Sequence, residues 1–153
     1  MDFSKITEDL YIGTMPSRLH YDELRDLGVR LIINMRFSRG PRTDHATRSP
    51  IQVLWLRTID SPLFPMPIDK LLQGARAALD TIRSGGHIYV HCAYGRHRSV
   101  VMGACILIAQ GMSVEKAIET IKRQRSAADP DVYYMKSRIL RFAREWQAGA
   151  AAA

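Results

Sequence analysis

The segment that most constrains the fold is residues 88–99, which read IYVHCAYGRHRS. Its apolar beginning is typical of a buried strand, and the apolar run that starts at Val100 is typical of a helix. A cysteine, a glycine and an arginine lie between the two runs. A loop that joins a strand to a helix lies at the edge of the sheet where open α/β folds bind ligands. The segment therefore predicts an α/β domain with a ligand site at this loop.

Residues 92–99, called the phosphate loop below, have the features that a phosphate ester requires. Backbone N–H groups at the start of a helix lack intrahelical partners and carry the positive end of the helix dipole. Gly95 permits a tight turn in which successive N–H groups converge. Arg98 supplies a planar guanidinium that can hold two phosphoryl oxygens. The predicted phosphate-binding residues are His91, Ala93, Tyr94, Gly95, Arg96 and His97.

Cys92 is the predicted nucleophile. Its electropositive surroundings should lower the pKa of the thiol, and a thiolate beneath a bound phosphorus atom is placed for attack and a phosphocysteine intermediate. Ser99 is predicted to donate a hydrogen bond to the sulfur and so to assist its departure in the second step. His91 is expected to be buried and to fix the loop. The alternative reading, a small buried hydrophobic residue, leaves the coincidence of His91, Cys92, Gly95, Arg98 and Ser99 unexplained.

Residues 91–99, HCAYGRHRS, resemble the H-C-x5-R-[S/T] signature of the cysteine-dependent protein tyrosine phosphatases in their dual-specificity form. The resemblance extends over residues 10–125 and includes the strands expected at residues 10–13 and 28–36. It implies hydrolysis of phosphate esters of tyrosine, serine and threonine in proteins, without a metal or cofactor. The chain is too short for the added recognition loop of phosphotyrosine-only enzymes, which implies a shallow pocket.

The same resemblance implies a general acid on a loop upstream of the nucleophile. Asp60 fits this role best, because it follows a strand-like run, opens the Pro-containing segment 60–67 and lies 32 residues before Cys92. A carboxylic acid there would protonate the leaving oxygen. Asp69 is the second candidate, but it directly precedes a helical pattern and suits a first-turn position better. A solvated turn residue is the structural alternative for Asp60.

Composition limits the class of protein. A chain of 153 residues is sufficient for one domain, which is predicted to span residues 1–147, with residues 148–153 as a disordered tail. The net charge is +7, but no zinc-finger spacing or RNP-like aromatic motif predicts nucleic-acid binding. Phosphorylated substrates account for the charge through electrostatic steering. Two cysteines, no signal-like start and no long apolar stretch predict a reduced, cytoplasmic protein without a membrane span, and a monomer is expected.

The order of elements predicts a single α/β domain with a central, mostly parallel sheet flanked by helices. Strands are expected near residues 10–12, 29–34, 51–56 and 87–91. Helices are expected after Ser17, and over residues 68–82, 99–110 and 114–125, with a last helix from about Pro130. The helix at 99–110 is apolar nearly all round, which predicts a central, buried position.

The sequence is also compatible with two other functions. The pair Arg96 and His97 adds charge to the loop, and the loop also resembles those of phosphatidylglycerophosphate and inositol pyrophosphate phosphatases, which predicts a non-protein substrate. A non-catalytic phosphate-binding module is the remaining alternative. The intact set of Cys92, Arg98, Ser99 and Asp60 favours an enzyme over that module.

Overall fold

The computed structural model describes residues 1–38 and 51–152 of the chain. In these ranges the strands are β1 (Phe3–Lys5), β2 (Leu10–Gly13), β3 (Val29–Asn34), β4 (Gln52–Trp55) and β5 (His87–His91). The helices are α1 (Tyr21–Asp26), α2 (Ile68–Arg83), α3 (Arg98–Ala109), α4 (Val114–Gln124) and α5 (Tyr133–Ala152), and a 3-10 turn (Arg18–His20) precedes α1.

The strands form one sheet in the order β1-β2-β5-β3-β4. β5 pairs in parallel with β2 and β3, and β3 pairs in parallel with β4, whereas β1 pairs antiparallel with β2. The predicted α/β domain with a mostly parallel sheet is confirmed. Because β5 lies in the middle, the loop that follows it opens at the centre of the sheet's carboxyl edge.

Helices cover both faces of the sheet, and alternate residues of β5 separate the two cores. Ile88 and Val90 belong to the larger core, which α2, α3, α4 and α5 supply with apolar side chains. Tyr89 belongs to the smaller core on the opposite face, together with Leu24 of α1 and Ile32 of β3. Central strands that are buried on both faces read as nearly continuous apolar runs, and β3 and β5 do so.

Helix α3 is the buried central helix that the sequence predicts, with every residue from Ser99 to Ile108 buried. It packs closely on β2, because a Cβ atom at Gly103 would lie 2.5 Å from Cδ1 of Ile12. A side chain at this position would push the helix away from the strand. The start of α3, and with it the phosphate loop, is therefore held against the sheet.

Most element boundaries agree with the sequence pattern, and the differences have local causes. The strand β1 was not predicted because three residues are too few to show a periodicity. The last helix begins at Tyr133 rather than Pro130, since the carbonyl of Val132 accepts its first bonds, from Met135 and Lys136. In the structure, α5 continues through alanines to Ala152, over residues for which the sequence predicts a disordered tail.

None of the helices within residues 1–38 and 51–152 combines the length and apolar character needed to cross a bilayer.

Candidate active site

The phosphate loop follows β5 and leads directly into α3. A cavity of about 250 Å³ opens over it and is lined by Asp60, Cys92, Ala93, Tyr94, Arg96, His97 and Arg98. Seven predicted site residues thus meet at one cavity. His91, Gly95 and Ser99 lie buried behind the lining. The second acid candidate, Asp69, is exposed in the first turn of α2 and is not among the lining residues.

The carbonyl oxygens of residues 94–97 all bond to groups behind the loop. Arg125 donates to the carbonyls of Tyr94 (3.2 Å) and Gly95 (2.7 Å). The N–H of Asp129 donates to the carbonyl of Arg96 (3.0 Å), and the N–H of Val101 to that of His97 (2.9 Å). In a trans peptide the N–H points opposite to the C=O. The N–H groups of residues 95–98 therefore face the cavity, as an anion-binding loop requires.

Arg125 is the main support of the loop. Its side chain is 2% exposed, and it also donates to the carboxylate of Asp2 (2.9 Å) and to the hydroxyl of Ser4 (3.1 Å). Gly95 adopts φ 62°, and a Cβ there would lie 2.6 Å from Arg125 Nη2. The loop thus needs glycine at this position both for its backbone conformation and for the close approach of the guanidinium.

The Cys92 thiol is buried, and the surrounding donors still favour its ionised form. Burial, the largest influence, raises the pKa of the thiol. The hydroxyl of Ser99, whose oxygen lies 3.2 Å from Sγ, acts in the opposite direction, as do the N–H groups of Ser99 and Arg96 and the charge of Arg98. Together they lower the pKa of Cys92 below its usual value. The predicted depressed pKa is confirmed.

Arg98 is anchored on one side and open on the other. Its Nη1 donates to the carbonyls of Thr58 (2.9 Å) and Met35 (3.3 Å), which fix the guanidinium plane. Its Nε is buried and has no partner among the described residues. A buried N–H without a partner costs free energy, so this donor is ready for an oxyanion. Thr58 is itself buried and donates to the carbonyl of Met35 (2.6 Å).

Asp60 lies over the phosphate loop, held by two side chains. Its Oδ2 is 2.8 Å from Nδ1 of His97, and the hydroxyl of Tyr134 donates to its Oδ1 at 2.7 Å. The carboxylate side chain is 32% exposed. This acid reaches the cavity from residues 57–67 (called the acid segment below), and its carboxylate is contacted by side chains of the phosphate loop and of α5.

His91 is buried beneath the loop and does not line the cavity. Burial is the main cause that lowers the pKa of its imidazole to about 4, the charges of Arg36 and Arg98 lower it further, and a hydrogen bond with the Cys92 backbone offsets part of the effect. The ring is therefore neutral at physiological pH. Its position agrees with the predicted role of fixing the loop.

A cluster of aromatic and basic side chains lies where the acid segment begins. The guanidinium of Arg57 lies 4.4 Å from the ring centre of Phe37 and 5.0 Å from that of Trp55. The indole N–H of Trp55 donates to the carbonyl of Arg36 at 2.6 Å. This cluster connects the end of β4 to the residues that follow β3.

Sequence reasoning missed three contributors to the site: Arg125, Tyr134 and Thr58. Arg125 reads as a basic residue at the end of a helix, where it suits the helix dipole. Tyr134 and Thr58 carry no motif, because their roles arise only from the way α5 and the acid segment pack. Within the described residues, no group of three or more metal-ligating side chains is found.

Several known proteins resemble this chain. The family of dual specificity phosphatase catalytic domains matches residues 10–143. Dual specificity protein phosphatase 26 from Bos taurus is 32% identical over 123 residues, covering 76% of this chain and 56% of that protein. The human phosphatidylglycerophosphatase and protein-tyrosine phosphatase 1 is 31% identical over 131 residues, covering 81% and 65%. The chain thus spans between about half and two thirds of the length of these relatives.

Solved structures show the same likeness. The crystal structure of PTPMT1 shares 27% identity at a TM-score of 0.86 and covers 99% of this chain and 100% of that one. The structure of human DUSP28, at 22% identity and a TM-score of 0.82, covers 95% and 99% and supports the fold alone. With its signature loop, its sheet order and the match over residues 10–143, the chain belongs to the dual specificity phosphatase catalytic-domain family.

Proposed function

We propose that this protein hydrolyses phosphate monoesters through a phosphocysteine intermediate. The observation that carries the proposal is the geometry around Cys92. Its sulfur accepts hydrogen bonds at the base of a cavity into which four successive N–H groups point. Such preorganised donors favour the charge that develops on a transferring phosphoryl group.

The proposed mechanism has two steps. In the first, the phosphoryl group binds the loop N–H groups and Arg98, the Cys92 thiolate attacks phosphorus, and Asp60 protonates the departing oxygen. In the second, the Asp60 carboxylate accepts a proton from water, which attacks phosphorus and releases phosphate. Ser99 donates to the sulfur as it leaves with its negative charge. Cys92, Arg98, Asp60 and Ser99 are the proposed catalytic residues.

Proteins that carry phosphotyrosine, phosphoserine or phosphothreonine are the first proposed substrate class. The cavity of about 250 Å³ is small, and the exposed Tyr94 lies at its edge. A shallow pocket lets the short side chains of phosphoserine and phosphothreonine reach the thiolate as well as phosphotyrosine. The net charge of +7 suits the approach of such acidic substrates.

A phosphorylated lipid or inositol is the second candidate substrate. It is supported by likeness to proteins of that description: PTPMT1 has been crystallised in complex with PI(5)P, and that structure shares 27% identity with this chain at a TM-score of 0.85. The second basic residue of the loop, Arg96, is exposed beside the cavity, where it can meet another phosphate.

The test is a substrate panel run on the wild-type protein and on Cys92→Ser, with chelator present. The panel contains 4-nitrophenyl phosphate, phosphopeptides of all three types, phosphatidylglycerophosphate and phosphoinositides. We expect turnover of the aryl ester and the phosphopeptides, reduced at least about 10⁴-fold in Cys92→Ser. Strong turnover of the lipid or inositol esters without peptide turnover would reverse the substrate order. Phosphate binding without any turnover would indicate a non-catalytic binding module.

The cytoplasm remains the predicted location. Cys92 and Cys105 are both free thiols, and a catalytic thiolate is preserved in a reducing compartment.

A further inference from the structure

We propose that His97 and Tyr134 hold Asp60 over the phosphate loop, and that His97 shares with Asp60 the proton that is delivered to the leaving oxygen. The proposal rests on the proposed phosphatase function and assigns two further residues to it. His97 and Tyr134 are positioning residues in this scheme, because each acts through Asp60. Neither is required for holding the phosphoryl group itself.

The two oxygens of the Asp60 carboxylate have different partners. His97 Nδ1 lies 2.8 Å from Oδ2 and the Tyr134 hydroxyl 2.7 Å from Oδ1, so each oxygen of Asp60 has its own partner. The two partners belong to different elements, the phosphate loop and the first turn of α5. Their rings also meet edge to face, with centroids 6.4 Å apart. The three side chains form one connected group.

Burial distinguishes the side chain of His97 from that of its neighbour Arg96. The side chain of His97 is 19% exposed, whereas that of Asp60 is 32% exposed. A residue in the loop whose only task was to add positive charge would extend into solvent, as Arg96 does at 59%. His97 instead points its ring across the cavity at the acid. Its other nitrogen, Nε2, is buried and makes no hydrogen bond among the described residues.

Charged groups face His97 from several parts of the fold. Asp60 faces it from the acid segment, and Asp129, which precedes α5, lies 3.8 Å from Nε2. Arg96 is drawn away by its own contact with Asp129 at 3.8 Å. Arg98 contributes the opposing positive charge from the start of α3, and Tyr134 is a neutral donor. Two carboxylates thus face one imidazole.

One proton leaves the Asp60–His97 pair in the first step and is regained in the second. Before reaction, the pair holds one proton between Oδ2 of Asp60 and Nδ1 of His97. As the bond from phosphorus to the leaving oxygen breaks, that proton passes to the oxygen, and the pair is left as a carboxylate and a neutral imidazole. The Tyr134 hydroxyl continues to donate to the carboxylate. When water attacks the phosphocysteine, its proton returns to the pair.

A proton shared between a carboxylate and an imidazole belongs to the pair, and the removal of either group removes one of the two sites that hold it. Loss of the imidazole should shift the basic limb of the kcat profile to lower pH. The effect should be confined to esters whose leaving oxygen needs a proton.

The experiment compares His97→Ala, His97→Asn, Tyr134→Phe and Asp60→Asn across pH with two substrates. One is 2,4-dinitrophenyl phosphate, whose leaving group needs no acid, and the other is phenyl phosphate, whose leaving group does. Asparagine can place an N–H near the position of Nδ1 but cannot carry the proton. His87→Asn is the matched control, since His87 Nδ1 lies 3.4 Å from Asp9 at the opposite end of β5.

We expect His97→Ala to reduce kcat for phenyl phosphate by about 10- to 100-fold and to leave dinitrophenyl phosphate within a few-fold. His97→Asn should recover most of the loss at low pH while its basic limb stays shifted to lower pH. Tyr134→Phe should reduce kcat for phenyl phosphate by about 10-fold without that shift. Equal losses for both substrates, or an unshifted limb in His97→Asn, would overturn the proposal.

A second readout does not depend on turnover. In the Cys92→Ser protein, ¹⁵N NMR of the His97 ring should show loss of its proton at lower pH once Asp60→Asn is added. An unchanged His97 titration would contradict the shared proton. If the wild-type protein hydrolyses none of the esters, the proposed function fails, and this titration still decides the His97–Asp60 pair on its own.

Discussion

The phosphate loop and the acid segment meet at one cavity, but different forces hold them. Behind the loop, the buried guanidinium of Arg125 and two backbone N–H groups donate hydrogen bonds to every carbonyl from residue 94 to 97. Above it, Asp60 is positioned by the side chains of His97 and Tyr134. Hydrogen bonds to groups behind it thus anchor the loop to the folded core, whereas the contacts of Asp60 lie near the surface. Binding the phosphoryl group and protonating the leaving oxygen should respond differently to mutation.

The largest expected effect is at Arg98, where both parts of the site meet. Arg98→Lys keeps the charge but removes the planar donors that Met35 and Thr58 orient. We expect kcat/KM to fall on the order of 10³-fold, and equally for good and poor leaving groups. Steady-state kinetics with the two aryl phosphates measure this. A loss restricted to poor leaving groups would place Arg98 with the acid instead of the loop.

Arg125→Lys tests the support of the loop without touching the cavity. A lysine ends in one nitrogen, which cannot take the places of the three guanidinium nitrogens that reach Tyr94, Gly95 and Asp2, so the loop N–H groups should lose their common direction. We expect kcat/KM to fall by about 10- to 100-fold for every substrate, and the free energy of unfolding to fall by about 2–4 kcal/mol. Urea unfolding measures the loss of stability separately from the loss of activity. Asp2→Asn, which keeps the guanidinium, should have a smaller effect on both.

Ser99→Ala tests the ionisation of the thiol. Removing the hydroxyl leaves burial less opposed, so the pKa of Cys92 should rise. A higher pKa means that less of Cys92 is ionised at neutral pH. The rate of alkylation by iodoacetamide should therefore begin to rise at higher pH than in the wild type. Cys105, buried within α3, should not react in the folded protein. An unshifted alkylation profile would assign the low pKa to the N–H groups and Arg98 alone.

Gly103→Ala has the smallest expected effect on catalytic activity and tests how closely α3 packs on β2. The added methyl group would approach Ile12 to 2.5 Å, so the helix must shift or the side chain must repack. We expect a loss of about 1–3 kcal/mol in the free energy of unfolding. Gly149→Ala, with no atom within 4 Å of its new Cβ, should be neutral or slightly stabilising. Thermal unfolding of the two variants makes the comparison.

The sequence predicts the loop side of the site better than the acid side, and the reason is physical. A buried strand, a glycine turn and an apolar helix are local patterns, and they determine where Cys92 and Arg98 lie. The partners of Asp60 lie far along the chain, at His97 and Tyr134, and meet it only through packing. Arg125 was unpredictable for the same reason, since its bonds to the loop and to Asp2 cross the whole fold. The short β1, which carries no periodicity, escaped prediction too.

The cluster of Trp55, Arg57 and Phe37 gives the molecule an internal optical probe. Trp55 is 37% exposed at the base of the segment that carries Asp60, and its emission should be sensitive to the cation stacked on its face. The other tryptophan, Trp146, is partly buried and stacks on Phe142 at the edge of the core. A Trp146→Phe variant would leave a single indole. Stopped-flow fluorescence would then report whether the binding of vanadate changes the surroundings of Trp55, without any attached dye.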